Sequence, residues 1–189
     1  MARRKSEDKR NALLAAATEV VAEQGLGAPT ARIARQAGVA EGTLFTYFGS
    51  KDELLNALYL ELKGEMRDAL MGAFPRGGSV RERAWHVWNA YVEWGVAHPP
   101  RRRALAQLAV SDRITPETRA RTEAGFGDLS ALIAERVAEG ALRDQPFAFT
   151  AAILGALADM TMDFVIRYPD QAETYTRAGF EAFWRAVAA

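Results

Sequence analysis

Residues 30–51 read Thr-Ala-Arg-Ile-Ala-Arg-Gln-Ala-Gly-Val-Ala-Glu-Gly-Thr-Leu-Phe-Thr-Tyr-Phe-Gly-Ser-Lys. The spacing predicts two short helices joined by a tight turn at Gly38, with a third helix opening where they end. Two helices that cross steeply need small residues where their backbones meet. Ala34 and Gly38 stand four apart on that face, and glycine takes the positive φ such a turn requires. Ile33, Ala37, Val39, Leu44 and Phe48 form a small core. Glu41, Gly42, Thr43, Phe45, Thr46 and Tyr47 are left around the exposed side of the second helix. This is the layout of a helix-turn-helix that sets a recognition helix in the DNA major groove. There the Phe45 ring can meet thymine methyls. Thr30, Thr43 and Tyr47 offer hydroxyls, and Lys51 a charge, to phosphates. The plainer alternative is a helical hairpin with surface aromatics.

Outward from this stretch the chain reads as all-helical. Apolar residues recur at three- and four-residue spacing, and period-two alternation is missing. A first helix over 6–24 carries the stripe Leu13, Leu14, Ala17, Val20 and Val21 and stops at Gly25. A second helix follows Pro29 with Thr30 as its N-cap. A fourth opens at the Ser-x-x-Glu capping box of Ser50 and Glu53. Phe74-Pro75-Arg76-Gly77-Gly78 breaks the pattern. Five further segments follow, at 79–97, 101–110, 116–139, 146–167 and 170–187. Thr115 caps the third of these, Gly125 and Gly127 can bend it, and Gly140 ends it. The division expected is a reading domain at 1–50, a connecting helix at 51–74 and a helical ligand and dimerisation domain at 75–189.

Charge is distributed unevenly although the net charge is zero. Residues 1–51 carry 8 Lys/Arg against 5 Asp/Glu, and the remainder 16 against 19. A basic end on a mildly acidic body suits a protein that touches phosphates at one end. Arg3, Arg4, Lys5, Lys9 and Arg10 form either a DNA-contacting tail or a solubilising terminus. Without cysteine there is no disulfide framework, thiolate metal site or Cys nucleophile. The run from Phe147 to Leu157 stops at Asp159, short of the roughly 20 residues a membrane span needs. A cytoplasmic location is expected. So is the absence of enzymatic activity, cofactor and metal: only His86 and His98 are present, and no phosphate-loop or Gly-x-Ser-x-Gly pattern occurs.

The body is aromatic. Trp85, Trp88, Tyr91 and Trp94 cover most of one helix, leaving Glu82, His86, Asn89 and Glu93 as a narrow polar stripe. The aromatics are either packed core or the lining of a ligand cavity. The polar stripe either faces water or turns inward, where His86 and Asn89 could hold a ligand. Phe126, Asp159, Met160 and Asp163 complete the candidate ligand set, the two acids standing four apart in an apolar segment. Ala152, Gly155 and Ala156 make a small-residue face. Phe180, Phe183, Trp184 and Val187 give the last helix an apolar face too strong for a monomer surface. Arg101, Arg102 and Arg103 read as a solvated loop edge, with a salt-bridge role or anion capture as the other options.

Gly-Val-Ala-Glu-Gly-Thr-Leu-Phe-Thr-Tyr-Phe-Gly-Ser-Lys-Asp-Glu-Leu at 38–54, with Ala-Ala-Thr-Glu-Val-Val-Ala-Glu-Gln-Gly at 16–25, resembles the tetracycline-repressor (TetR) family of transcriptional regulators. The resemblance covers about the first 55 residues. It implies a homodimer on a palindromic operator, released by a small effector in the body, with the last two helices of each subunit as the dimer bundle. It also implies phosphate contacts at Thr30, Tyr47 and Lys51. Arg32, Glu41, Gly42, Thr43, Phe45 and Thr46 would face bases or nearby backbone. Two departures stand out. Ala40 occupies a position where the family often has a hydroxyl, and Glu41 one where a basic or polar residue is common. Glu41 either accepts from cytosine N4 or favours the helix N-terminus by its charge. The function expected is a ligand-responsive regulator, most simply a repressor with a hydrophobic or aromatic effector. The alternative is a non-catalytic ligand-binding or sequence-independent DNA-binding protein.

Overall fold

The computed structural model describes residues 2–129, 131–132 and 142–188, and the side chains of all of these except 2–5, 147–148 and 187–188. The expectations for Arg3, Arg4, Lys5, Gly140 and the Val187 side chain lie outside that set. Among the described residues there are nine α-helices with described bounds, one short 3-10 turn and further helical residues at 127–129 and 131–132, and no strand. They are α1 (Ala2–Gln24), α2 (Thr30–Gln36), α3 (Glu41–Tyr47), α4 (Lys51–Met71), α5 (Val80–Ala97), α6 (Pro99–Ala109), α7 (Pro116–Ala124), α8 (Phe147–Arg167) and α9 (Ala172–Ala188), with the 3-10 turn Pro169–Gln171 before α9.

Backbone packing separates two compact units, and they are not continuous in sequence. One holds Met1–Gly64 with Pro99–Thr122; the other holds Glu65–His98 with Glu123–Ala189. In the first, α6 packs along α1, so residues far from the reading helices in sequence belong to their unit. The α1 stripe of Leu13, Leu14, Ala17, Val20 and Val21 is buried as predicted, with Ile33, Leu44, Phe48, Leu54, Leu58, Leu105 and Leu108. Gly25 (φ +79°) and Gly38 (φ +70°) take the left-handed conformations that end α1 and turn α2 into α3.

The second unit is built on α5, α8 and α9. Trp88, Val92, Ala158, Met162, Val165, Phe180 and Phe183 form its core. Gly179 is required there: a Cβ would lie 2.2 Å from Thr161 Oγ1 and 2.7 Å from Trp88 Cζ2. The α5 helix starts at a capping box that the sequence reading passed over. The Ser79 hydroxyl accepts from the Glu82 amide (3.3 Å), and the Glu82 carboxylate accepts from the Ser79 amide (2.8 Å). Glu82 is therefore a capping residue, and it also lines a shallow groove beside Trp85 and Arg177. Its pKa is held below the usual value of 4.5 by the bonds from Ser79. A depressed carboxylate contributes stability above its unfolded pKa and loses it as pH falls through the folded value. The Glu82→Gln variant is thus expected to melt below the parent at neutral pH, with the two melting curves converging in acid; a gap that stays constant with pH would contradict this.

Three boundaries differ from the sequence reading. The α6 helix starts at Pro99, because prolines are pre-set for the first turn, where no amide is needed. Arg101, Arg102 and Arg103 are consequently helical rather than a loop edge. Thr30 is the first residue of α2 rather than its cap: Pro29 precedes the helix, and no side chain caps it. The segment beginning at Pro116 breaks after Ala124, at the bend expected from Gly125. The stretch Phe149–Arg167 of α8 is, by length and composition, long and apolar enough to cross a membrane (mean hydropathy 1.6), further than the Phe147–Leu157 run suggested.

Candidate nucleic-acid interface and ligand groove

The α2–α3 hairpin is closed by backbone bonds around Gly38: Ala37 N to Ile33 O (2.9 Å), Gly38 N to Arg35 O (3.1 Å) and Val39 N to Ala34 O (3.0 Å). With Ile33, Ala34, Leu44 and Phe48 buried, the residues left on α3 are those expected. Glu41, Gly42, Phe45 and Thr46 are exposed, and Thr43 and Tyr47 half-buried. Phe45 keeps 45% of its surface open, an unusual exposure for an apolar ring on so short a helix.

Two of the predicted contacts are engaged within the chain. The Thr30 hydroxyl donates to the Glu41 carboxylate at 2.6 Å, joining the first residue of α2 to the first residue of α3. Glu41 thus gains a structural role that neither sequence reading held, while standing in the first turn of α3, where its charge is favourable. The α3 helix has no side-chain cap, Ala40 offering none. Lys51 donates to Ala28 O at 2.6 Å. Its pKa is lowered, chiefly by partial burial and then by the nearby Arg113 charge. Arg32 lies 3.8 Å from Glu23 of α1, and the Thr46 hydroxyl donates back to Gly42 O (3.1 Å). The Ser50 cap is present (Glu53 N to Ser50 Oγ, 3.1 Å), but the Glu53 carboxylate answers to Gly49 N (2.8 Å).

In the second unit the candidate ligand residues separate. A groove of about 420 Å³ is lined by Trp85 and Asn89 together with Glu93, Glu173, Thr176 and Arg177. Arg177 pairs with Glu173 at 3.0 Å and stands over the Trp85 ring, 5.6 Å from its centroid. Asn89 donates to Glu93 (2.7 Å).

Trp88 is core. It is 1% exposed, stacks on Phe183 (centroids 5.9 Å apart) and donates its indole N–H to Thr176 O at 2.9 Å. Trp94 is buried, with Tyr91 and His98 packed against it. His86 stands edge-on to Phe74 (5.9 Å) rather than in the groove. Phe126 and Asp159 are half-buried elsewhere, and Met160 and Asp163 lie on the exposed face of α8. These positions remove Met160 and Asp163 from any enclosed site in the chain.

The dimerisation set divides in the same way. Phe180 and Phe183 are buried within the chain, and Trp184 stacks on Phe180. The strong apolar face of α9 is satisfied by Trp85 and Trp88 of α5. The face left open is on α8, where Phe149, Met160, Phe164 and Ile166 are exposed large apolar residues and Ala152 and Ala156 are exposed as well.

A short helix pair turning on a positive-φ glycine, with an exposed aromatic recognition helix, defines a helix-turn-helix DNA-binding protein. The profile described as "Bacterial regulatory proteins, tetR family" matches residues 13–58. The chain is 30% identical over 172 residues to the HTH-type transcriptional regulator BetI of Escherichia coli (strain K12), covering 76% of this chain and 88% of the relative. It is 42% identical over 76 residues to BetI of Rhizobium meliloti (strain 1021), where it spans 40% of this chain and 37% of that relative. A crystal structure of a tetR family transcription regulator from Shewanella sp. PV-4 superposes with a TM-score of 0.84 at 29% identity, covering 96% of this chain and 98% of that one. The chain belongs to the TetR family of transcriptional regulators. These relatives are regulators rather than enzymes.

Proposed function

We propose that the chain is a ligand-responsive regulator, in its simplest form a repressor, that binds a palindromic operator as a cytoplasmic homodimer. The observation that carries this reading is the exposed Phe45 ring on α3, flanked by Thr43 and Thr46. That surface suits thymine methyls and base edges. Phosphate contacts are assigned to Tyr47, to the Lys51 hydrogens not given to Ala28 O, and to the Thr30 hydroxyl once it leaves Glu41, and Arg32, Glu41 and Gly42 are assigned to neighbouring backbone or bases. The functional division assigned is reading domain 1–50, connecting helix 51–74 and body 75–189, with 99–122 of the body packed in the unit of the reading helices. The effector site is assigned to the Trp85–Asn89 groove, whose charged rim favours an aromatic compound carrying polar groups. Effector control requires different affinity for the DNA-binding and released states.

The dimer interface is assigned to the open α8 face around Ala152, Gly155, Ala156 and Met160, because a contiguous apolar face on one helix calls for a cover. Sedimentation equilibrium tests this directly. The full chain is expected at twice its 20.7 kDa mass, and the double variant Met160→Glu/Phe164→Glu at the monomer mass. A variant that stays dimeric would remove α8 from the interface. The alternative, sequence-independent DNA binding, would show weak and strongly salt-sensitive affinity for any duplex.

A further inference from the structure

The reading hairpin is tied at both ends to one connector much later in the chain. The α2 and α3 helices have seven residues each, too short to hold a fixed pose by themselves. Upstream of them the loop after α1 presents carbonyls at Leu26 and Ala28; downstream α4 opens at Lys51. Residues 107–119 reach both points. Arg113 Nη1 donates to Leu26 O at 3.2 Å, while its Nε pairs with Asp52 in the first turn of α4 at 2.9 Å. Asn56 locks the same connector to α4: its amide donates to Arg113 O (2.8 Å) and accepts from Thr115 N (3.0 Å). Gln107 of α6 donates to Val21 O (3.1 Å), at the end of α1.

The connector is itself held rigid. Arg119 donates to Ala109 O (2.7 Å) and Ser111 O (2.8 Å), closing the end of α6, and Arg113 N donates to Ser111 Oγ (3.2 Å). All of these residues belong to one compact unit.

We propose that Arg113, seated by Asn56, is a positioning residue for DNA reading: it ties the loop before α2 to the start of α4 and so sets the pose in which α3 is presented. Arg113 touches no base in this proposal. A single exposed ion pair contributes little stability, and the Arg113–Asp52 pair is of that kind (41% and 58% side-chain exposure). What distinguishes Arg113 is that one side chain bridges two points that bracket the hairpin. The inference rests on the reading of α3 as a DNA-binding helix.

The test uses the full chain. A duplex is first selected by the parent protein from a random library. Affinities of the parent, Arg113→Ala, Arg113→Lys, Asp52→Asn and the Arg113→Ala/Asp52→Asn double variant are then measured for that duplex and for a scrambled one. Amide hydrogen exchange is followed in parallel. Arg113→Ala is expected to lose about tenfold in affinity for the selected duplex with the scrambled duplex unchanged, and the double variant to lose no more than the worse single variant. Arg113→Lys keeps the charge without the two-point fork and is expected to fall between. Exchange is expected to quicken at 26–28 and 51–56. Equal loss on both duplexes, additive losses, or parent-like affinity for the selected duplex would overturn the proposal. If the parent selects no duplex, sequence-specific reading fails. Exchange then decides the brace alone: quickening at 26–28 in Arg113→Ala supports it, and unchanged exchange overturns it.

Discussion

Trp88→Ala is expected to lower the unfolding free energy by about 3–5 kcal/mol, the range for truncating a buried aromatic. The side chain is 1% exposed, lies in the core with Phe180 and Phe183, and gives its one polar hydrogen to Thr176 O. Truncation removes that packing, leaves a void between α5 and α9, and takes away the indole bond to Thr176 O. The neighbouring Trp85 lines an open groove, so Trp85→Ala should cost markedly less. Urea unfolding of the two variants separates the roles. A small loss at Trp88 would return it to the cavity lining from which its burial removes it.

Phe45→Ala makes the opposite prediction. Its ring is 45% exposed, so its loss should change stability by no more than about 0.5 kcal/mol. Affinity for the selected duplex should nevertheless fall by about tenfold, on the scale of the roughly 1–3 kcal/mol that one mismatched base pair costs a specific complex. Fluorescence anisotropy on the selected duplex, paired with thermal melting, checks both halves. Loss of stability without loss of affinity would make Phe45 a packing residue.

The reading hairpin was legible because its determinants are local. Gly25 and Gly38 mark left-handed turns, Ser50 marks a cap, and the α1 stripe marks a buried face; each works through neighbours a few residues away. The same local logic would have found the Ser79–Glu82 box, whose Ser-x-x-Glu spacing stands in the open just after Gly78. The glycine at 179, inside an otherwise good helix, was likewise a readable sign of close approach.

What was not legible is which partner satisfies a face. Hydrophobic burial is non-directional, so the α9 stripe of Phe180, Phe183 and Trp184 fits a second chain or a neighbouring helix equally well by pattern. Within the chain, Trp85 and Trp88 pack against it, a contact that spacing does not reveal. Trp85 and Trp88 stand three apart on one helix, and periodicity could not divide groove from core between them. The tie between Thr30 and Glu41, and the placement of 99–122 with the reading helices, join residues through the fold rather than through spacing.

On this reading α3 engages a defined duplex, twice, through paired subunits. Selection from a random duplex library followed by hydroxyl-radical footprinting tests it most directly. An enriched inverted repeat is expected, with two protected half-sites about 34–36 Å apart on one face of the DNA. No enrichment, together with affinity that varies with salt but not with sequence, would contradict it.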